Sequence, residues 1–313
     1  MENLLLSVNA VMPIFLLMAC GYLAQKLGAV SRQDVPRINR VAFHVFLPML
    51  LFYNVYTSDL SSAVQPKLIL FAVCSVLLVA AAALWGVMHF VDRDDRRGVI
   101  AQGIFRSNYV IMGLPIAEAL VGADNLGPVT VLIAIVVPMF NFLAVMVLES
   151  FRPGRTKMGT VILGVIRNPL VVSSLAGIVF VLCGIHLPRL LEKTVQSLGS
   201  IATPLQLFLL GSFFRFGGLK RYRRELAVVT FIKLILTPAV FLSAAAFLGF
   251  RHVEFVALMG IFASPTAVNS FTMVQQMHCG DDELAGDIVV CTSLFCTLSF
   301  FLWIWTFKTL GVF

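Results

Sequence analysis

Charged residues are scarce in this sequence. Lys, Arg, Asp and Glu make up 12% of the 313 residues, about half of the share that is typical of soluble domains. Hydrophobic residues make up 59%, and the mean hydropathy is +0.94. Both values exclude an ordinary soluble domain and indicate a polytopic membrane protein.

The common motifs of enzymes are also missing. The sequence contains no H-E-x-x-H, no G-x-S-x-G and no phosphate-binding P-loop. Its six cysteines include no C-x-x-C pair, and most of them lie in apolar segments, as ordinary apolar cysteines do. We therefore expect neither an enzyme nor a resident metal or cofactor.

Long apolar segments fill almost the whole chain. A helix needs about 20 apolar residues to cross a hydrocarbon core of roughly 30 Å. Ten such spans are predicted, at residues 4–25, 37–57, 67–90, 99–121, 128–149, 160–185, 192–215, 225–249, 253–277 and 285–309. The sequence thus predicts an all-α polytopic membrane protein with ten transmembrane helices and no soluble domain.

Basic residues are distributed unevenly between the connections. With the N-terminus placed outside, sixteen Lys and Arg residues lie in inner loops, and five lie in outer loops or the tail. Because cytoplasmic loops carry the excess of Lys and Arg, both termini are expected outside. The same rule explains the net charge of +7, so no nucleic-acid partner is expected.

The second half of the sequence repeats the first. A shift of 156 residues places Pro13 on Pro169, Gly21 on Gly177, and Phe52 on Phe208. Each repeat contains five spans, so the second copy enters the membrane upside down. We predict a first repeat at residues 1–156 and an inverted second repeat at residues 157–313. Such repeats are typical of secondary transporters, which bind their substrate between the halves.

Helix-breaking residues interrupt the fourth and ninth spans. We predict that Gly113 ends one half-helix and Pro115 starts the next, and that Ser264 caps a half-helix starting at Pro265. Broken backbone persists in a bilayer only where protein or a water-filled cavity satisfies its polar groups. Two half-helix N-termini near the bilayer centre would form an anion site. A simple proline kink in each span is the alternative.

Intramembrane charges offer a second kind of candidate. Arg106 lies about 10 Å into the fourth span. It either binds a carboxylate or extends its side chain to the inner surface. For Lys233, in the eighth span, extension to the surface is favoured. Glu118 either takes up a proton or cation, caps its own half-helix or faces a vestibule, and one of the latter two roles is favoured.

Two motifs in the broken spans resemble the auxin efflux carrier family. They are S-N-x(4)-G-L-P at residues 107–115 and A-S-P-x(3)-N-S-F at residues 263–271, and the resemblance covers essentially the whole chain. It implies a fold similar to bile-acid sodium symporters and sodium–proton antiporters. In such a fold, helices 1, 2, 6 and 7 form a scaffold and dimer platform. Helices 3–5 and 8–10 form a transport domain that moves like an elevator, with the broken crossover helices 4 and 9 crossing inside it.

The expected function is transport of a small organic anion across the bacterial cytoplasmic membrane. A dicarboxylate such as malonate or malate, or an auxin-like carboxylate, fits this expectation. A symporter of another amphipathic acid, coupled to Na⁺ or H⁺, and a membrane-embedded ligand sensor stay open as alternatives. The residues predicted to bind the substrate are Arg106, Asn108, Tyr109, Gly113, Pro115, Ser264, Pro265, Thr266 and Asn269.

Overall fold

The computed structural model of the chain describes residues 2–31, 33–57, 65–152, 158–215 and 220–313. Within these ranges the protein is helical and contains no β-strand. The helices are α1 (Glu2–Lys26), α2 (Asp34–Tyr56), α3 (Pro66–Phe90), α4 (Asp94–Phe105), α5 (Leu114–Val121), α6 (Gly127–Ser150), α7 (Met158–Ile166), α8 (Pro169–Leu182), α9 (Arg189–Phe213), α10 (Arg223–Phe247), α11 (His252–Ala263), α12 (Asn269–Met277) and α13 (Asp282–Thr309).

Six helical stretches in these ranges are long and apolar enough to cross a membrane. They are α2, α3, the stretch from α4 to α5, α6, α10 and α13, and they coincide with six of the predicted spans. The other four predicted spans coincide with α1, α7 with α8, α9, and α11 with α12, which the criterion of length and hydropathy does not select. The protein is therefore a multi-pass membrane protein whose described residues form helices, while the ten-helix inverted repeat stays a prediction.

The described residues include three π-helical turns, and each lies just before a proline. The turns are Ala42–Phe46 before Pro48, Tyr109–Gly113 before Pro115, and Ile232–Leu236 before Pro238. Proline lacks an N–H group, and its ring clashes with the carbonyl four residues earlier in a regular helix. In the wider turn, each donor reaches the carbonyl five residues back, as the N–H of Leu47 reaches Ala42. The helices can therefore continue past these prolines.

Close glycine contacts join the first, second, sixth and seventh predicted spans. A Cβ atom on Gly21 of α1 would lie 1.9 Å from the carbonyl oxygen of Phe208 in α9. A Cβ atom on Gly177 of α8 would lie 3.0 Å from the carbonyl oxygen of Phe52 in α2. The Ser212 hydroxyl of α9 donates a hydrogen bond to the Gly21 carbonyl at 3.0 Å. Small residues therefore let these helices pack backbone to backbone, as is common in membranes.

A polar cluster joins the N-terminal ends of α4, α10 and α13. Arg96 forms an ion pair with Glu225 at 2.5 Å, and the Tyr222 hydroxyl donates to the Asp281 carboxylate at 2.8 Å. The Asp281 N–H donates to the carbonyl of Asp95 at 2.9 Å. Burial and the hydrogen bond to Asp281 raise the pKa of Tyr222, so its hydroxyl remains a donor across the physiological pH range. The cluster holds these three helix ends together.

The contact at Gly21 makes a testable prediction about stability. We expect Gly21→Ala to lower the thermal unfolding temperature in detergent, because overpacking of this kind costs about 1–3 kcal/mol. Gly86→Ala in α3 is the matched control, since a Cβ atom there has no neighbouring atom within 4 Å. It should be neutral or stabilising, by about 0.5–1 kcal/mol, because alanine favours a helix over glycine. Equal melting temperatures for the two variants would contradict the contact.

Candidate functional site

Both broken spans are interrupted in the structure. The helix α4 ends at Phe105, and helical structure resumes in the π-helical turn at Tyr109. The helix α11 ends at Ala263, and α12 begins at Asn269. The backbone is extended directly after each first half-helix, with φ −79° and ψ 129° at Arg106 and φ −66° and ψ 149° at Ser264. These are breaks in the chain direction rather than simple proline kinks.

The break in the fourth span lies earlier than predicted. Gly113 does not end a half-helix, because it closes the π-helical turn and leads directly into α5. Pro115 lies in the first turn of α5. It does not start the half-helix, because the π-helical turn already precedes it. The preceding half-helix ends at Phe105, where the N–H of Arg106 makes the last bond of α4, to the carbonyl of Gln102. The prediction placed the break at the helix-breaking residues. The structure instead breaks the helix where another segment of the chain supplies hydrogen bonds to the free backbone groups.

The predicted cap in the ninth span is also wrong. Ser264 follows the C-terminus of α11, and its hydroxyl donates to the Gly260 carbonyl at 2.6 Å. Proline disfavours the helical conformation in the residue before it, so Pro265 ends α11 instead of starting α12. The next half-helix begins only at Asn269.

The two breaks are hydrogen-bonded to each other. The N–H of Asn108 donates to the carbonyl of Pro265 at 2.8 Å. The Thr266 hydroxyl donates to the Gly103 carbonyl in α4 at 2.7 Å, and the Thr292 hydroxyl of α13 accepts from the Thr266 N–H at 3.2 Å. Each extended segment thus supplies partners for backbone groups of the other, as broken backbone in a membrane requires.

A glycine pair brings the two spans close together beside the breaks. A Cβ atom on Gly113 would lie 3.0 Å from the Cα atom of Gly260 in α11. The Tyr109 ring covers this pair, and its hydroxyl donates to the Val129 carbonyl at 3.3 Å. Tyr109 therefore belongs to the packing of the crossing, and its hydroxyl already has a protein partner.

A cavity of about 70 Å³ lies against the crossing. It is several times larger than the roughly 10–15 Å³ that one water molecule needs. One wall is formed by α2 and α9, and the opposite wall by the two breaks together with α6. The polar residues that line it are Asn54, Arg106, Ser107, Asn108, Tyr109, Asn141, Thr203, Gln206 and Asn269.

Arg106 is the charged residue of this lining, and it is only 2% exposed. Its guanidinium donates to Asn141 Oδ1 at 2.5 Å and contacts the sulfur of Met273. Among the described residues, no carboxylate lies within 4 Å of it. The side chain therefore does not extend to the inner surface. Lys233, expected to reach the surface, is also buried, whereas Glu118 is exposed.

Five side-chain groups of the lining have no hydrogen-bond partner among the described residues. They are Ser107 Oγ, Asn108 Nδ2, Asn141 Nδ2, Gln206 Nε2 and Asn269 Oδ1. Buried polar groups are nearly always paired in native structures. Four of these five groups can donate a hydrogen bond. The cavity therefore offers donors and one buried cation to whatever occupies it.

The structure separates the predicted site residues into two groups. Arg106, Asn108, Tyr109 and Asn269 line the cavity, and Gly113, Pro115, Ser264, Pro265 and Thr266 do not. In the second group, Gly113, Ser264, Pro265 and Thr266 build the crossing through the contacts above, and Pro115 is exposed.

Sequence reasoning missed the residues that α2 and α9 contribute. Asn54, Thr203 and Gln206 lie in helices that continue past them without a break, since Pro204 lies inside α9 and does not interrupt it. The available signal was a lone polar residue in an apolar run, such as Gln206 within "TPLQLFLL". Asn141 of α6 accepts a hydrogen bond from Arg106 at the cavity.

The chain matches known membrane transport proteins along almost its whole length. The profile of the family described as "Membrane transport protein" matches residues 6–304. The chain is 22% identical over 302 residues to an "Uncharacterized transporter" of Methanothermobacter thermautotrophicus, covering 95% of this chain and 97% of that one. It is 24% identical over 291 residues to a "Putative malonate transporter" of Rhizobium meliloti, covering 91% of each chain. The match confirms the resemblance to the auxin efflux carrier family.

The glycine pair at the crossing gives a second prediction. We expect Gly260→Ala to lower the melting temperature in detergent, because its Cβ atom would lie 2.6 Å from the Tyr109 ring. The double variant Gly260→Ala/Tyr109→Leu should recover part of the loss, since the conflicting ring atoms are removed. Tyr109→Leu alone serves as the control. Additive losses in the double variant would show that the ring does not limit the approach.

Proposed function

Since this chain belongs to the membrane transport protein family, we propose that it is a secondary carrier of a small organic anion. A dicarboxylate such as malonate or malate is the substrate class we favour, ahead of an auxin-like carboxylate. The observation that carries the proposal is the cavity beside the crossing, where Arg106 is buried without a carboxylate partner among the described residues. We place the protein in the bacterial cytoplasmic membrane.

The chemistry of the lining favours a negatively charged guest. A guanidinium has five N–H donors and binds carboxylates in a bidentate manner. Leaving a buried cation without a counter-charge is costly, and a bound carboxylate would offset that cost. Within the described residues, the lining contains no Asp or Glu. The described lining would therefore not repel an anion, and it has no carboxylate that could pair with an organic cation.

The size of the cavity supports a small acid. About 70 Å³ corresponds to the space of several water molecules, which suits a compact acid. The Rhizobium meliloti relative, whose name mentions malonate, is similar along 91% of its length. A compact dicarboxylate could place one carboxylate on Arg106 and the other on the amides of Asn108 and Asn269.

Two glycine contacts support the predicted inverted repeat. Gly21 lies against the carbonyl of Phe208, and Gly177 lies against the carbonyl of Phe52. The shift of 156 residues that relates Gly21 to Gly177 also relates Phe52 to Phe208. The same contact is thus made once from each half to the other. This reciprocity is expected of two upside-down copies around a two-fold axis.

Contacts among the remaining helices support an elevator-type movement. The polar cluster joins α4, α10 and α13, and Arg152 beyond α6 donates to the Met277 carbonyl at the end of α12. These helices would move as one body against the scaffold formed by α1, α2 and α7–α9. The cavity lies between the two bodies, so relative movement would open it to one side at a time.

A buried amide pair crosses the boundary between these two bodies. Asn39 of α2 donates to Gln275 of α12 at 2.6 Å, and Gln276 donates to the Pro36 carbonyl at 3.0 Å. Both contacts would break and re-form in each cycle. A homodimer through the scaffold is part of the proposal.

Flux measurements in proteoliposomes test the proposed function. Labelled malonate, malate and monocarboxylates are offered with and without gradients of Na⁺, H⁺ and voltage, which also identifies the coupling ion. Saturable flux of an acid supports the carrier. Binding of the acid without any flux would identify a ligand sensor instead.

The amides of the crossing give a third prediction. We expect Asn108→Ala and Asn269→Ala each to abolish binding of the transported acid while the protein stays folded in detergent, because both lose groups that face the cavity. Tyr109→Phe is the matched control, since its hydroxyl bonds to Val129. Isothermal titration with the acid measures the affinities. Wild-type affinity in both asparagine variants would rule out this pocket.

Arg106 gives a fourth prediction. We expect Arg106→Ala to weaken the binding of a dicarboxylate more than the binding of a monocarboxylate of similar size. The single carboxylate of the monocarboxylate can still bind the amides, whereas the second carboxylate of the dicarboxylate has lost Arg106 as its partner. Loss of a charge-assisted hydrogen bond costs about 1.5–3 kcal/mol, or roughly 10-fold to 150-fold in affinity. Competition for transport of a labelled acid measures both affinities. Equal weakening of the two acids would leave Arg106 without a selective role.

A further inference from the structure

A second, larger concavity lies along α10 and α13, and its lining shares no residue with the cavity at the crossing. It has a volume of about 600 Å³, and we call it the α10–α13 groove. Its lining from α10 is Arg223, Leu226, Ala227, Thr230, Phe231, Leu234 and Ile235, and its lining from α13 is Cys291, Leu294, Phe295, Leu298, Ser299 and Leu302. Each helix thus contributes every third or fourth residue, which is one helical face.

The groove is a long apolar channel that is open on its outer side. The α10 lining from Arg223 to Ile235 spans roughly 18 Å at 1.5 Å per residue. Large side chains along it are exposed, including Phe231 at 57%, Leu298 at 56% and Leu294 at 54%. Since α10 and α13 are both long and apolar enough to cross a membrane, this face meets the acyl chains of the bilayer.

Charge is present at one end of the groove only. Arg223 lies at the first turn of α10 and is the charged residue of the lining. Among the described residues it has no ion pair, whereas its neighbours Arg221 and Glu225 pair with Glu283 and Arg96. An arginine without a partner at the end of an apolar channel matches the shape of a phospholipid, which has an anionic head and a long chain.

We propose that the α10–α13 groove is a binding site for an anionic phospholipid. The phosphate would lie on the guanidinium of Arg223, and one acyl chain would follow the apolar walls toward Leu302. The chain would gain contact with both helices in place of bulk lipid, and the head group would neutralise Arg223. The site lies on helices that carry part of the polar cluster, so the lipid would remain in contact with α10 and α13 together.

The chain provides a matched control for the head group. Arg224 is the adjacent residue, is exposed like Arg223 and has no ion pair among the described residues. It lines a different cavity, of about 320 Å³, on the other side of α10. Arg223→Gln and Arg224→Gln therefore remove the same charge at the same membrane depth, and only the first changes the groove.

Ala227 and Val228 provide the same comparison for the acyl chain. Ala227 lies in the groove, and Val228 lines the cavity on the other side of α10. Ala227→Phe fills the channel without removing charge. Val228→Phe adds a ring of the same kind outside it. Both positions are exposed, so the thermal stability of each variant should stay near that of the wild type.

Native mass spectrometry of the purified protein tests the site. Phosphatidylglycerol and phosphatidylcholine with identical acyl chains are titrated against the wild type and the four variants. We expect the wild type to bind phosphatidylglycerol more tightly than phosphatidylcholine. Arg223→Gln should lower the affinity for phosphatidylglycerol roughly fivefold. Arg224→Gln should stay near the wild type. Ala227→Phe should lower the affinity for both lipids, and Val228→Phe should leave both affinities unchanged.

Fluorescence of Trp303 localises the bound lipid independently. Its indole N–H donates to the carbonyl of Leu234, which lines the groove, at 2.9 Å. In a Trp85→Phe/Trp305→Phe background, brominated phosphatidylglycerol should quench Trp303 more strongly than brominated phosphatidylcholine. Arg223→Gln should remove the difference.

Four results would overturn the proposal. The first is equal affinity for the two lipids in the wild type. The second is an equal loss in Arg223→Gln and Arg224→Gln, which would reflect only general surface charge. The third is competition by glycerol 3-phosphate, which carries the phosphate without a chain. The fourth is cross-linking of Leu298→Cys to a second copy in vesicles, which would show that protein covers this face.

Discussion

The main constraint on this protein is that backbone groups exposed by a broken helix inside a bilayer must find hydrogen-bond partners within the protein. The two interrupted spans meet this constraint by crossing. The Asn108 N–H finds the Pro265 carbonyl, and the Gly103 carbonyl finds the Thr266 hydroxyl. The π-helical turn Tyr109–Gly113 can approach α11 closely because Gly113 and Gly260 face each other there. Neither break would be stable without the other, which makes the crossing a single structural unit.

The crossing also determines which groups are left for a ligand. Its backbone and hydroxyl groups mainly bond to each other, while Asn108, Asn141 and Gln206 keep side-chain donors that have no partner among the described residues. These donors and Arg106 border one cavity, against a wall formed by two uninterrupted helices. The crossing thus supplies the rigid packing and part of the polar surface, and α6 and α9 supply the rest of that surface. The proposed anion site needs both, because bound carboxylates require donors held in fixed positions.

The sequence was sufficient for the class of fold but not for the positions of the helix ends. Composition and the lengths of apolar segments predicted a helical membrane protein, and the two motifs predicted the family. Gly113 and Ser264 were assigned as helix ends from their residue types alone. The actual ends at Phe105 and Ala263 depend partly on hydrogen bonds to segments more than 150 residues away, which local propensity does not encode.

The candidate site likewise contains residues that the sequence could predict and residues that it could not. Asn108 and Asn269 could be predicted because they lie beside helix breakers in apolar spans. The contribution of α9 could not, since Gln206 lies in an unbroken helix and faces the cavity only through the packing of α9. The burial of Arg106 and Lys233 also follows from packing, because a long side chain in a lone helix could reach the surface.

The π-helical turns before Pro48, Pro115 and Pro238 have a consequence for how such a chain can change length. A π-helical turn holds one residue more than the α-helical turn that it replaces. Deleting one residue there, together with replacing the proline, would regenerate a plain α-helix whose later side chains keep their directions. A deletion elsewhere in the helix would rotate everything beyond it by about 100°. Each of these three turns can therefore lose one residue inside the bilayer without changing the faces of the helix that follows.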